Sequence, residues 1–95
     1  MTGQHDRYEL VITPTARRQL AESLPEAAAF AAHELIVGAL LDNPHRVGMR
    51  LQPPVDDRHS ARRGTYRVIY RIDDAQGTVT VVDIAHRRDA YRAGG

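Results

Sequence analysis

The chain has 95 residues, a hydrophobic fraction of 42% and a formal net charge of +1, which is enough for one modest core and too little for two. Having no cysteine, it can form neither a disulfide framework nor a thiolate metal site, and no apolar run approaches the roughly 20 residues needed to span a bilayer. The polar start MTGQHDR lacks the apolar core of a secretion signal, so the expectation is a soluble, cytoplasmic protein with no membrane partner.

Residues 1–6 read as a disordered polar tail and residues 7–92 as a single domain. Tyr8, Leu10 and Ile12 alternate with Glu9 and Val11, which predicts a first strand over residues 7–13. Thr13 and Pro14 then start a helix, the threonine as N-cap and the proline at the first helical position, where a missing N–H costs nothing. This helix runs to about Leu24, with Ala16, Leu20 and Leu24 on its inner stripe. Pro25 starts a second helix that ends near Asp42, before Asn43 and Pro44. Phe30, Val37 and Leu41, spaced by seven and four, predict a shared face on it. The break at Leu24 and Pro25 makes the pair an αα-hairpin.

From His45 to Asp57 the chain holds Gly48, Pro53 and Pro54, a loop with one short strand around residues 49–52. Residues 58–62 extend toward Gly64. A strand over 65–73 turns at Asp74 to Gly77 into another over 78–87, which makes a hairpin. The tail DAYRAGG continues irregularly or adds one helical turn. The order predicts an α+β domain: an N-terminal strand, a two-helix hairpin and then three antiparallel strands, with the helices packed on one face of a small antiparallel sheet.

Charge is divided unevenly along this order. Residues 1–57 carry five arginines against eight acids, and residues 58–95 carry eight arginines against four. All 13 basic side chains are arginine, a group that grips phosphate bidentately and is almost never deprotonated. Within YRVIYRID, residues Tyr66, Val68, Tyr70 and Ile72 share one face, while Arg67, Ile69 and Arg71 share the other. If the helices cover one face, the arginines lie on the open one. That face is either wet, with the arginines paired to Asp73 or Asp83, or a binding surface.

Three stretches, NPHRVGMRL at 43–51, RRGTYRVIYRID at 62–73 and IAHRRDAYR at 84–92, resemble the RelE side of the RelE/ParE toxin superfamily of bacterial type II toxin–antitoxin systems. The resemblance spans residues 8–92 and implies the RelE-like microbial RNase fold. RelE-like members enter the ribosomal A site and cut mRNA, with no metal or cofactor, by in-line attack of a ribose 2′-oxygen on the adjacent phosphate. Such a reaction needs a group to take the 2′-proton, positive charge around the phosphorane and a donor for the 5′-oxygen.

Carried over position by position, the resemblance implies a catalytic set of Arg62, Arg67, Arg87 and Tyr91, with Ser60 where a second basic residue often stands. Arg62 stays charged, so the proton must go elsewhere. His86, with the intrinsic pKa for the task, is the first candidate, Tyr91 the second and His59 the third. Each has an ordinary alternative: His86 as a polar strand end, Tyr91 as a packed aromatic or as a platform for a base. Arg63, Arg71 and Arg88 suit phosphate or ribosomal RNA contacts.

The implied partners are a RelB-like or similar antitoxin, the ribosome and its mRNA, and promoter DNA only through the toxin–antitoxin complex. Two further readings follow from the same resemblance: a ParE-like inhibitor of DNA gyrase that performs no RNA chemistry, and a degenerate member that only binds its antitoxin.

Overall fold

The computed structural model describes residues 7–86. Strand β1, Glu9–Ile12, keeps the alternation of its sequence: Leu10 and Ile12 pack on the core while Val11 faces outward. Thr13 caps helix α1, Pro14–Arg18, by accepting the Ala16 N–H at 3.2 Å. The helix continues as a π-helical turn, Gln19–Ser23, after which Leu24 is extended, the conformation a following proline imposes. Ala16 is fully buried, and Leu20 and Leu24 pack beside the core, as the inner stripe requires.

Helix α2, Glu26–Leu35, runs into a second π-helical turn, Ile36–Leu40. Phe30 and Val37 stand out of the core at 65% and 37% exposure, whereas Leu41, 8% exposed, is buried in it. The wider i→i+5 winding shifts the positions that follow it around the axis. Ile36, Leu40 and Leu41 thereby join Ala32 and Leu35 against the sheet, and Phe30 and Val37 are left outside. A single helical turn, α3 at Pro44–Val47, precedes the expected short strand.

Among the described residues the sheet holds five strands: β1, β2 (Met49–Arg50), β3 (His59–Arg63), β4 (Tyr66–Asp73) and β5 (Thr78–His86), in the order β1-β5-β4-β3-β2. Four strands, not three, therefore follow the helices, because Met49 and Arg50 pair with Ser60 and His59. The four are antiparallel in turn, while β1 runs parallel to β5. The helices carry the chain from β1 to the opposite edge at β2, and three reversals then bring β5 back beside β1 in the same sense. Ala61, Val68, Tyr70, Val79 and Val81 face the helices and are essentially fully buried.

Two details fix the half of β5 nearest the site. The register steps between Ile69↔Asp83 and Tyr70↔Val81, leaving Val82 as the extra residue of a β-bulge. Among the described residues no strand covers this edge of β5 beyond Ile12, and Gln19 does so instead: its Oε1 accepts the Ile84 N–H and its Nε2 donates to Asp83 Oδ1, both at 2.7 Å. The β3–β4 hairpin closes on Gly64 and Thr65, with Gly64 at φ 61°, a conformation that glycine adopts without steric penalty.

Candidate functional site

Alternation decides which side chains meet. Ala61 of β3 points into the core, so Ser60 and Arg62 point to the open face. Val68 of β4 points inward, so Arg67 points outward. Arg62 and Arg67 are direct cross-strand partners, and the Cα partner of Ser60 is Met49 of β2. A groove of about 450 Å³ opens on this face, with Ser60, Arg62 and Arg67 on one side and Gly48 to Gln52 on the other. Like charges directly opposed across two strands repel. An anion bound between two guanidinium groups so placed relieves that repulsion.

The second wall is held by buried chemistry. The Tyr70 hydroxyl donates to the Pro44 carbonyl at 2.6 Å, and burial pushes its pKa up to about 12, so it stays a donor throughout the neutral range. Gly48 passes over this hydroxyl: a Cβ there would lie 2.5 Å from Tyr70 Oη and 2.7 Å from the Ser60 carbonyl oxygen. Glycine lets β2 come close enough to pair with β3. Arg50, the Cα partner of His59, is tied by Nε to the Asp56 carbonyl at 2.8 Å, which anchors β2 to the loop that follows it.

Other residues singled out from the sequence fall elsewhere. His59 lies on the helix side of the sheet, its ring stacked on Tyr70 at 5.5 Å and edge-on to His45 at 5.9 Å. It is therefore on the wrong side to take a proton from a ligand in the groove. Burial lowers its pKa, and the neighbouring His45 and Arg50 lower it further. Arg63 is exposed opposite Tyr66 at the hairpin end. Arg71 is on the open face but four residues along β4 from Arg67, in a separate polar groove with Asp57, Asp73 and Asp74.

His86 is the last residue of β5, its backbone opposite Tyr66. Arg87, Arg88 and Tyr91 lie outside the described residues. Of the two carboxylates named from the sequence, Asp73 accepts the Gln76 N–H through Oδ1 and Asp83 accepts from Gln19 Nε2 through Oδ1. Gly48, Met49 and Arg50 took no role in the sequence reading, although GMR stands inside the first of the three diagnostic stretches.

Residues 10–91 match the family model described as the ParE toxin of a type II toxin–antitoxin system, parDE. Toxin RelE of Mycobacterium tuberculosis is 48% identical over 92 residues, covering 97% of this chain and 93% of the relative. Toxin RelG of the same organism is 45% identical over 85 residues, covering 90% and 97%. The crystal structure of the toxin–antitoxin complex RelBE2 from M. tuberculosis superposes with a TM-score of 0.80 at 43% identity, over 85% of this chain and 92% of that one. The isolated E. coli RelE toxin shares the fold, with a TM-score of 0.67 at 18% identity over 92% and 94% of the two chains.

Proposed function

The chain belongs to the RelE/ParE toxin superfamily of type II toxin–antitoxin systems, and from that premise we propose that it is a ribosome-dependent endoribonuclease that cleaves translated mRNA. The observation that carries this reading is the direct opposition of Arg62 and Arg67 on the open face, in a groove that Ser60 also lines. Guanidinium groups fixed before the reaction need no reorganisation as charge develops on a phosphorane. The phosphate of the scissile bond sits between Arg62 and Arg67, with the Ser60 hydroxyl as a further donor.

The attacking 2′-oxygen must lose its proton, and a guanidinium cannot accept it. His86, at the end of β5, is the base in this proposal, with Tyr91 as the alternative. Arg87 completes the cationic set and supports the departing 5′-oxygen. Arg63 and Arg88 serve as backbone contacts to RNA, and Arg71, beside three carboxylates, is a minor one.

The partner in the cell is an antitoxin of RelB type, because the relatives crystallised as complexes hold one. It would cover the cationic face, and the complex rather than the toxin would contact promoter DNA. Working on ribosomes places the protein in the cytoplasm. Among the described residues no helix is long and apolar enough to cross a membrane.

Primer extension on mRNA translated in a reconstituted system tests the reading, with Arg67→Ala and Arg87→Ala as controls. Cleavage by the parent chain that both variants lose supports it. The matching family model is described by its ParE members, so a gyrase supercoiling assay runs beside it. Inhibited supercoiling with intact mRNA would replace the nuclease by a gyrase inhibitor.

A further inference from the structure

We propose that Met49 is a base platform: the groove that holds the scissile phosphate between Arg62 and Arg67 seats an adjoining RNA base against the Met49 side chain. This rests on the nuclease reading above and adds a specificity element to it. Met49 is 77% exposed, above the values for Val11, Phe30, Val37 and Val55, the other large apolar side chains that stand well out of the core. An apolar side chain that open has no role in packing, yet its backbone is held tightly. The close passage of Gly48 over Tyr70 and the pairing with Ser60 fix its position.

Met49 stands in register with Ser60, and Arg62 is two residues further along β3. Two residues of strand span about 7 Å, and the step from β3 to β2 is about 4.8 Å. A nucleotide bridges such a gap with its phosphate at one end and its base at the other. The groove thus offers cations at one end and an apolar wall, Met49 with Leu51, at the other, which is the division of chemistry within a nucleotide. A thioether is polarizable and packs well on a π-face. It donates no directional hydrogen bond, so it cannot read Watson–Crick edges. It favours purines over pyrimidines through the larger contact area alone.

The experiment is steady-state cleavage of ribosome-bound mRNAs that differ only in a purine or pyrimidine beside the scissile phosphate, using the parent chain, Met49→Ala, Met49→Leu and Met49→Gln. Met49→Ala is expected to raise KM by about 3- to 10-fold, more for the purine substrates, with kcat within about twofold. Met49→Leu should restore most of the loss and Met49→Gln little of it. Unchanged KM in Met49→Ala on both substrates, with the parent chain active and Arg67→Ala inactive, removes the base platform and leaves the nuclease reading intact. A parent chain that cleaves nothing removes both.

Discussion

Arg67 stands directly opposite Arg62 across the β3–β4 hairpin, and the turn that joins them is two residues long. The opposition brings two guanidinium groups to one place, where a single phosphate can be held by both. Arg62→Gln should change the stability of the free protein by no more than about 1 kcal/mol, while cleavage falls by about 10²-fold or more through loss of charge stabilisation. Urea denaturation of the free chain and primer extension on the same preparations check the two halves together. A loss of several kcal/mol alongside the lost cleavage would make Arg62 a structural residue and not a phosphate-binding one.

Gly48 and Tyr70 act as one unit. Gly48→Ala puts a methyl group 2.5 Å from the Tyr70 hydroxyl and 2.7 Å from the Ser60 carbonyl, and overpacking of this kind costs about 1–3 kcal/mol. Tyr70→Phe alone loses the bond to the Pro44 carbonyl and leaves that carbonyl without its donor, a loss of about 1–3 kcal/mol. In the double variant the hydroxyl that the methyl group strikes is gone, so the two losses should sum to more than the observed loss. A double-mutant cycle in urea measures the difference. Strict additivity would mean that the Ser60 carbonyl, not Tyr70, sets the closeness of β2.

His59 gives folding a pH dependence whose sign is fixed by its surroundings. Burial lowers its pKa below the ordinary 6.5, and the nearby His45 and Arg50 act in the same direction. Above pH 6.5 the ring is neutral in both folded and unfolded chains and contributes no slope. Below it the unfolded chain binds a proton that the folded chain refuses, so stability falls as the pH drops from 6.5 toward the lowered folded value. His59→Phe removes this contribution, and Nδ1, which finds no hydrogen-bond partner, is no loss. Urea midpoints between pH 8 and pH 5 should fall less for His59→Phe than for the parent chain. Parallel curves would assign the acid sensitivity to another group.

What could be read in the sequence was local. The Thr13 cap, the break at Pro25, the Asp74–Gly77 turn and the outward placement of Arg67 each depend on a few neighbouring residues, and each is present. Leu41 was grouped with Phe30 and Val37 because a π-helical turn between Ile36 and Leu40 changes the winding without any composition signal. The pairing of β1 with β5 joins residues nearly seventy positions apart, and no local pattern specifies it. The same holds for the site: the arginine wall belongs to one hairpin, whereas the Met49 wall reaches it across the loop from Leu51 to Arg58. His59 was named third among the candidate bases because its strand was read only as extended, without the phase that buried Ala61 sets.

Arg62 and Arg71 lie on the same open face and should behave differently toward RNA. Four residues along a strand separate Arg71 from Arg67, about 13 Å, and Asp57, Asp73 and Asp74 share its groove. Carboxylates at that range offset the attraction of one guanidinium for a phosphate and add repulsion of their own. Each phosphate neutralised contributes close to one unit to the slope of log affinity against log salt. Arg62→Ala should lower that slope for a short RNA by about one unit, while Arg71→Ala should change it by much less. Asp73→Asn, which removes one of the opposing charges, should tighten binding at low salt and have little effect at high salt, where screening already weakens the repulsion. Fluorescence anisotropy titrations at several salt concentrations measure all three, and an Arg71→Ala slope change as large as that of Arg62→Ala would place a phosphate in the acidic groove as well.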